Sequence, residues 1–259
     1  MKYSIIASLL LVGSAIAAPH TAVRQERARK RAQGRKGNPN HVIEGPGGVE
    51  TNNTNVSYST NWSGAVLVGT GYTSVTGSFV APTPTTTGSG SAWVGIDGDT
   101  CGTAILQTGI DWTYSGGKVT YDAWYEWYPD YAYDFTGITI SAGDTIKTTV
   151  TATSKTAGTA VILNSTTGKS VSHTFSNEAS LGSLCEYNAE WIVEDYESGS
   201  SQVAFADFGT VTFTGASAVK SGTTVGVTGA TLIDMETSSG SVIVQASLSG
   251  TSGVVLKYV

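Results

Sequence analysis

Histidine and cysteine are scarce in this chain of 259 residues, and past residue 54 so is positive charge. There are three histidines and two cysteines. His20 and His41 fall in the first 54 residues, which leaves His173 alone in the remainder. It sits in a Ser- and Thr-rich run, the setting of a surface strand residue. A zinc site draws on several His and Cys ligands, so this composition excludes the usual kinds. A Ser-His-Asp triad would need His173, and no G-x-S-x-G string surrounds a serine. No phosphate-binding glycine loop is present. After residue 54 there are six Lys and Arg against 17 Asp and Glu, a net charge of −11 where the whole chain carries −6. Nucleic-acid binding needs a positive surface, so that class is excluded. A body this acidic suits work in acid, where many carboxylates are protonated.

The basic residues are concentrated at the front. Lys2, the apolar run from Ile5 to Val12 and the small-residue pattern Ala15-Ile16-Ala17 read as a secretory signal peptide over residues 1–18. The run is too short to span a bilayer, and no later run is long enough, so we expect a secreted, extracellular product with no membrane partner. Residues 19–54 hold Arg24, Arg27, Arg29, Lys30, Arg31, Arg35 and Lys36 and no Trp or Tyr. Such a segment buries too little apolar surface to fold alone, and behind a signal peptide it reads as a basic propeptide. Its natural partner is the acidic body, with the propeptide as inhibitor and acid as the trigger for release. Export also favours a Cys101–Cys185 disulfide; closing so long a loop contributes roughly 4 to 5 kcal/mol in the chain-entropy model. Sequons at Asn52, Asn55, Asn61 and Asn164 are glycosylation candidates, the first within the expected propeptide.

Residues 55–259 read as one all-β domain. Short runs rich in Val, Ile, Thr, Tyr and Trp alternate with Gly, Ser and Asp clusters, and no long segment has helical periodicity. About a dozen strands suggest a sandwich or barrel. Alternation then sorts side chains. In Lys118–Tyr128, Trp124, Glu126 and Tyr128 share a face with Asp122. In the strand after Cys185, Glu190, Ile192 and Glu194 share one. In 104–113, Gln107, Gly109 and Asp111 share one. Carboxyls and one amide among aromatics, with Trp93 and Trp112 nearby in sequence, suggest a concave binding surface.

Of the hydrolytic devices, carboxyl groups survive, alone or with neutral partners. Two readings stand level on chemistry. One is a retaining glycosidase with Glu126 and Glu194 as its pair. The other is a peptidase in which one carboxylate activates water and a neutral amide stabilises the oxyanion. A lectin-like module is a third. Asp97-Gly98-Asp99 reads as a turn; it lacks the spaced acidic ligands of a calcium loop.

Longer strings separate these readings. Asn61-Trp62-Ser63-Gly64-Ala65 opens the domain. Ser91–Cys101 (SAWVGIDGDTC) leads into Ala104–Gly109 (AILQTG). Tyr121–Asp130 (YDAWYEWYPD) and Cys185–Glu194 (CEYNAEWIVE) follow. In this order, over essentially all of the expected mature region, the chain resembles the fungal glutamic peptidases, the eqolisins. The resemblance implies a β-sandwich of two antiparallel sheets of about seven strands each, concanavalin- or jelly-roll-like. It implies an acid endopeptidase that needs no cofactor and acts on protein and peptide substrates; no metal site is expected, and the product is expected to be a monomer. It places the catalytic pair on Gln107 and Glu194, with Glu190 as a rival two positions back on the same face. Trp93, Asp97 and Glu126 match supporting positions, and Tyr128–Gly137, including Tyr133, matches a loop over the cleft. Some members carry a longer basic insertion before the Ser-Ala-Trp string and mature into two chains. Here Pro82–Ser91 is short and neutral, so one mature polypeptide is expected.

Overall fold

The computed structural model describes residues 34–43, 56–199 and 201–259. The expected signal peptide, most of the expected propeptide and the sequons at Asn52 and Asn55 lie outside the described residues. Those residues form β1 (Arg35–Lys36), β2 (Val56–Ser59), β3 (Trp62–Val68), β4 (Tyr72–Val80), β5 (Gly88–Ile96), β6 (Ile105–Ser115), β7 (Lys118–Tyr128), β8 (Tyr133–Asp134), β9 (Thr145–Ser154) and β10 (Ala157–Asn164). They continue with β11 (Lys169–Phe175), β12 (Asn188–Glu194), β13 (Glu197–Ser198), β14 (Ser201–Gln202), β15 (Thr210–Lys220), β16 (Thr223–Val225), β17 (Thr231–Glu236), β18 (Val242–Ser249) and β19 (Gly253–Tyr258). Helix among the described residues is limited to one 3₁₀ turn, Glu178–Ser180, as the absence of a 3.6-residue period predicts.

The strands pair in the order β11-β10-β9-β4-β15-β19-β18-β17-β3-β12-β5-β6-β7-β8, with β16 on β15 and β2 on β17. Every pair is antiparallel except β2 with β17. This corrects the expectation of two separate seven-stranded sheets: pairing is continuous through β15. The first part of β15, Thr210–Phe213, pairs with β19. The second part pairs with β4 after a break in register between Thr214 and Ser217. Gly215 there has φ 59°, a left-handed conformation that glycine adopts without strain. The bulge lets one strand serve both layers. The sheet folds over, so that β4, β9 and β10 lie against β5, β6 and β12.

The core fills the space between the layers. Phe79, Trp112, Trp127, Trp191 and Phe213 are its largest buried members. A second cluster, Trp62, Val66, Trp93, Ile105, Trp124 and Ile192, lies on the other face of β3, β12, β5, β6 and β7. Those central strands are therefore buried on both faces; all seven residues of β12 are. A sandwich layer normally leaves its outer face to water. Here residues 34–43 cover that face.

Candidate functional site

The floor of the site is set by strand register. Glu190 of β12 stands opposite Gly95 of β5, Gly95 opposite Gln107 of β6, and Gln107 opposite Glu126 of β7. The next row on the same face is Ile192, Trp93, Gly109 and Trp124, and the third begins Glu194, Ser91 and Asp111. Because side chains alternate at a period of two, all of these point to one side. Gly95 makes room for the Trp93 ring: a β-carbon on it would lie 2.8 Å from Trp93 Cζ3. Trp93 leans across that gap, meets Trp62 edge-on at 4.9 Å and donates from Nε1 to Glu194 Oε2 at 2.9 Å. Glu126, Glu190, Glu194 and Gln107 are each fully buried.

Residues 34–43 cross this floor as an extended strap. The Arg35 guanidinium forms a two-pronged ion pair with Asp111, Nη2 lying 2.6 Å from Oδ1 and Nε bonding Oδ2. It also donates to Ser91 Oγ at 3.3 Å and stands 3.6 Å from Glu126 Oε2. Its plane is flanked by rings, with the guanidinium carbon 3.9 Å from the Trp124 centroid and 4.7 Å from that of Tyr196. Such a fork-to-carboxylate contact between aromatic faces is a guanidinium receptor. Lys36 Nζ lies 4.8 Å over the Tyr128 ring. The Gly37 N–H donates to Glu126 Oε2 at 3.1 Å, and the Asn38 N–H donates to Glu194 Oε1 at 3.0 Å. A β-carbon on Gly37 would lie 2.6 Å from Gln107 Nε2, so the glycine lets the strap approach the Gln107 amide closely. Gln107 and Glu194 thus meet the two residues that flank one peptide bond, Gly37–Asn38. Farther on, the Asn61 amide donates to the Pro39 carbonyl at 3.1 Å, and Asn40 donates to the Gly98 carbonyl at 3.0 Å and to Asp99 Oδ1 at 2.7 Å.

Burial in the covered cleft raises the pKa of its acids. Burial pushes Glu194 up to about 7, against the pull of the Asn38 N–H, Arg35 and Trp93. Burial likewise drives Glu126 well above the ordinary range, opposed by Arg35 and helped by Glu194. Glu190 moves the same way through burial and the nearby Asp99 and Asp97. Asp111 is raised by burial and drawn back by Arg35.

Most of the predicted site residues come together. Trp93, Gln107, Glu126, Tyr128 and Glu194 all face the strap. Asp97 does not. Its carboxylate accepts the backbone N–H groups of Cys185, Glu186, Tyr187 and Asn188, at 2.7 to 3.2 Å. It fixes the loop that delivers β12, a loop also tied by the Cys101–Cys185 disulfide. Asp97, Cys101 and Cys185 form a tight cluster, but the sulfurs are bonded to each other and the carboxylate oxygens to backbone, which does not suit a metal. Tyr133 is on the opposite face, where it packs on Tyr125 and donates to Asp130 at 2.8 Å. Trp112 belongs to the core, against Phe208. His173 stacks on Tyr125 at 4.0 Å, away from the cleft. Asn61 and Asn164 have buried, bonded amides, so the folded chain has no room for a glycan on either. Asp111, Ser91 and Tyr196 escaped the sequence reading. Asp111 shared a predicted face with Gln107, which was the available signal. Nothing in the sequence announced the strap's path.

The Peptidase A4 family model matches residues 60–258. Aspergillopepsin-2 of Aspergillus niger is 52% identical over 288 aligned positions, covering 100% of both chains. The solved structure of scytalido-glutamic peptidase with a transition state analog inhibitor superposes with a TM-score of 0.73 at 47% identity, covering 77% of this chain and 98% of that one. That of aspergilloglutamic peptidase from Aspergillus niger gives 0.63 at 62% identity, covering 66% and 99%. The family model and the full-length relative agree, and the chain belongs to the Peptidase A4 family, hydrolases of the glutamic peptidase type.

Proposed function

We propose that the protein is a secreted acid endopeptidase in which Glu194 is the general base and Gln107 the oxyanion donor, and that residues 34–43 hold it latent. The observation that carries this reading is the convergence of both side chains on the Gly37–Asn38 peptide. A polypeptide lies in the cleft with one bond at the pair, which is the geometry of peptide recognition. The glycosidase alternative has no comparable support, since the groove is filled by backbone donors and acceptors.

In the working enzyme a substrate replaces the strap. Water entering the cleft removes much of the desolvation that raises Glu194, and its carboxylate holds the nucleophilic water. As the water oxygen bonds to the scissile carbonyl carbon, Glu194 takes its proton. The Gln107 NH₂ donates to the oxyanion that develops; a neutral donor serves in acid because its charge does not titrate. The C–N bond then breaks as Glu194 returns the proton to the departing amine. The strap defeats this sequence in two ways. Its Asn38 N–H takes one Glu194 oxygen while Trp93 takes the other. Its burial of Glu194 keeps the base protonated in acid.

The test is digestion of denatured casein or haemoglobin by the acid-activated protein from pH 2 to 7, beside a xylan or glucan control. Cleavage of protein alone, lost by at least about 10²-fold in Glu194→Gln and Gln107→Glu, supports the reading. Near-normal cleavage by either variant refutes it.

A further inference from the structure

A side-chain amide offers one donor end and one acceptor end, the same two groups as a peptide unit of a neighbouring strand. Asn61 uses both on the strap. Its Nδ2 donates to the Pro39 carbonyl at 3.1 Å, and its Oδ1 accepts the His41 N–H at 2.8 Å. Ser59 fixes that orientation. Its Oγ accepts the backbone N–H groups of Asn61 and Trp62, at 3.2 and 3.1 Å, and its own proton goes to Asn61 Oδ1 at 2.9 Å. A hydroxyl donating to Oδ1 distinguishes the two ends of the amide, so Nδ2 is the end at Pro39. Both residues are buried in the covered cleft.

The pattern continues along the strap. The His41 carbonyl accepts the Thr60 N–H at 3.1 Å, Val42 bridges antiparallel to Ser59, and the Ile43 N–H donates to the Tyr58 carbonyl at 2.9 Å. Residues 39, 41 and 43 thus bond to Asn61, Thr60 and β2, while Asn40 between them donates its N–H to the Gly98 carbonyl at 3.0 Å. That alternation is the one an added β-strand makes. The other edge of β2 is taken by β17. The contacts to Asn61, Thr60 and Tyr58 use strap backbone alone. At residue 39 they use only the carbonyl, so proline, which has no N–H, fits there. Tyr58, Ser59, Thr60 and Asn61 all follow residue 54 and stay with the expected mature chain.

We propose that Asn61 and the edge of β2 bind the substrate backbone beyond the scissile bond, so that the enzyme requires at least four residues after the bond it cuts and works best with six. The inference rests on the reading above, in which the strap lies where substrate lies. Counted from the Gly37–Asn38 peptide, Asn61 takes the carbonyl of the second following residue and the N–H of the fourth. Thr60 takes the carbonyl of the fourth, and Tyr58 the N–H of the sixth. Recognition through backbone is indifferent to side chains, which suits cleavage of many sequences. It also demands an extended, unfolded segment, because N–H and C=O groups already paired in a helix or sheet are not available to Asn61.

The experiment measures kcat and KM of acid-activated protein near pH 4 on peptides identical up to the scissile bond and ending, as amides, two, four or six residues beyond it. A further six-residue form has the N–H of the fourth residue replaced by an ester oxygen. Extension from two to four residues adds two hydrogen bonds, each worth about two- to tenfold, so kcat/KM is expected to rise by about tenfold. The gain should fall in KM, because contacts made equally before and during the chemical step leave kcat unchanged. The ester is expected to cost the parent about fivefold in kcat/KM and Asn61→Ala under about twofold, since that variant lacks the acceptor the missing N–H would meet. A residue that only supported the fold would leave the ester penalty the same in both proteins, and equal penalties overturn the role of Asn61. Equal kcat/KM for the two- and six-residue peptides overturns the proposal outright, and decides it with the parent alone where Asn61→Ala does not fold. Failure of the underlying dyad is recognised separately, by activity surviving in Glu194→Gln.

Discussion

In the proposed latent state Arg35 holds the strap to the cleft floor, and Arg35→Gln is the perturbation that tests it. In the covered cleft its guanidinium is the cation facing Asp111 and Glu126, and Trp124 and Tyr196 sandwich it. Removing it leaves Asp111 buried without its counter-charge and Glu126 with Lys36 as its remaining cation. Truncating one partner of a buried pair costs about 3 to 5 kcal/mol, and each tenfold is about 1.4 kcal/mol. The affinity of the strap for the cleft should then fall by about 10²-fold or more at pH 6. At pH 3.5 the loss should be smaller. Without Arg35 the main pull that lowers Asp111 is gone, and burial, helped by Asp122, is opposed by the Ser91 hydrogen bond alone, so Asp111 takes up a proton and the uncompensated charge disappears. The assay is calorimetric titration of acid-activated enzyme with synthetic peptides spanning residues 34–43, with Arg or Gln at position 35, at both pH values. A difference under about threefold at pH 6 would show that the ion pair does not hold the strap. Equal losses at the two pH values would refute the protonation argument.

Three further outcomes are expected. Substrate that follows the strap's course places its third residue before the scissile bond in the Asp111 receptor. Peptides with Arg there should exceed citrulline analogues by about tenfold in kcat/KM near pH 5, and a flat ratio in activated enzyme rejects that course. In the latent chain Glu194 titrates at about 7 in place of 4.5 and Asp195 at about 7 in place of 3.8. The native state binds more protons than the unfolded one between those values, so stability is fully present below about pH 4 and is lost as pH rises through 7. Glu194 alone accounts for about 3 kcal/mol, and Tm should drop by about 6 to 12 °C from pH 4.5 to 8; a Tm constant over that range rejects the shifts. The short neutral Pro82–Ser91 segment should leave the mature enzyme a single band on a reducing gel, and two mature fragments would count against that.

The β-rich pattern and its faces were legible because alternation is a local property. Lys118–Tyr128 was bounded correctly from its own residues, and the shared faces of Gln107 with Asp111 and of Glu190 with Glu194 follow from parity alone. How faces meet is not local. The bend of β15 depends on a bulge whose only local mark is Gly215. Tyr133 and Asp97 were placed by their neighbours in sequence, but β8 pairs on the edge of β7 and turns Tyr133 to the far side, while the positive φ of Asp97 aims its carboxylate at the backbone. The strap was the least legible. Gly37 looks like linker composition until the Gln107 side chain is above it.

The acidity of the body and the neutrality of the cleft have one physical explanation. Glu126, Glu190, Glu194 and Asp111 are packed on one floor among tryptophans, and the Arg35 guanidinium, with Lys36 beside Glu126, offsets them. With all four ionised, like charges within a low-dielectric site would repel by several kcal/mol. The arrangement is stable only where most are protonated, which means in acid or under a strap that keeps them desolvated.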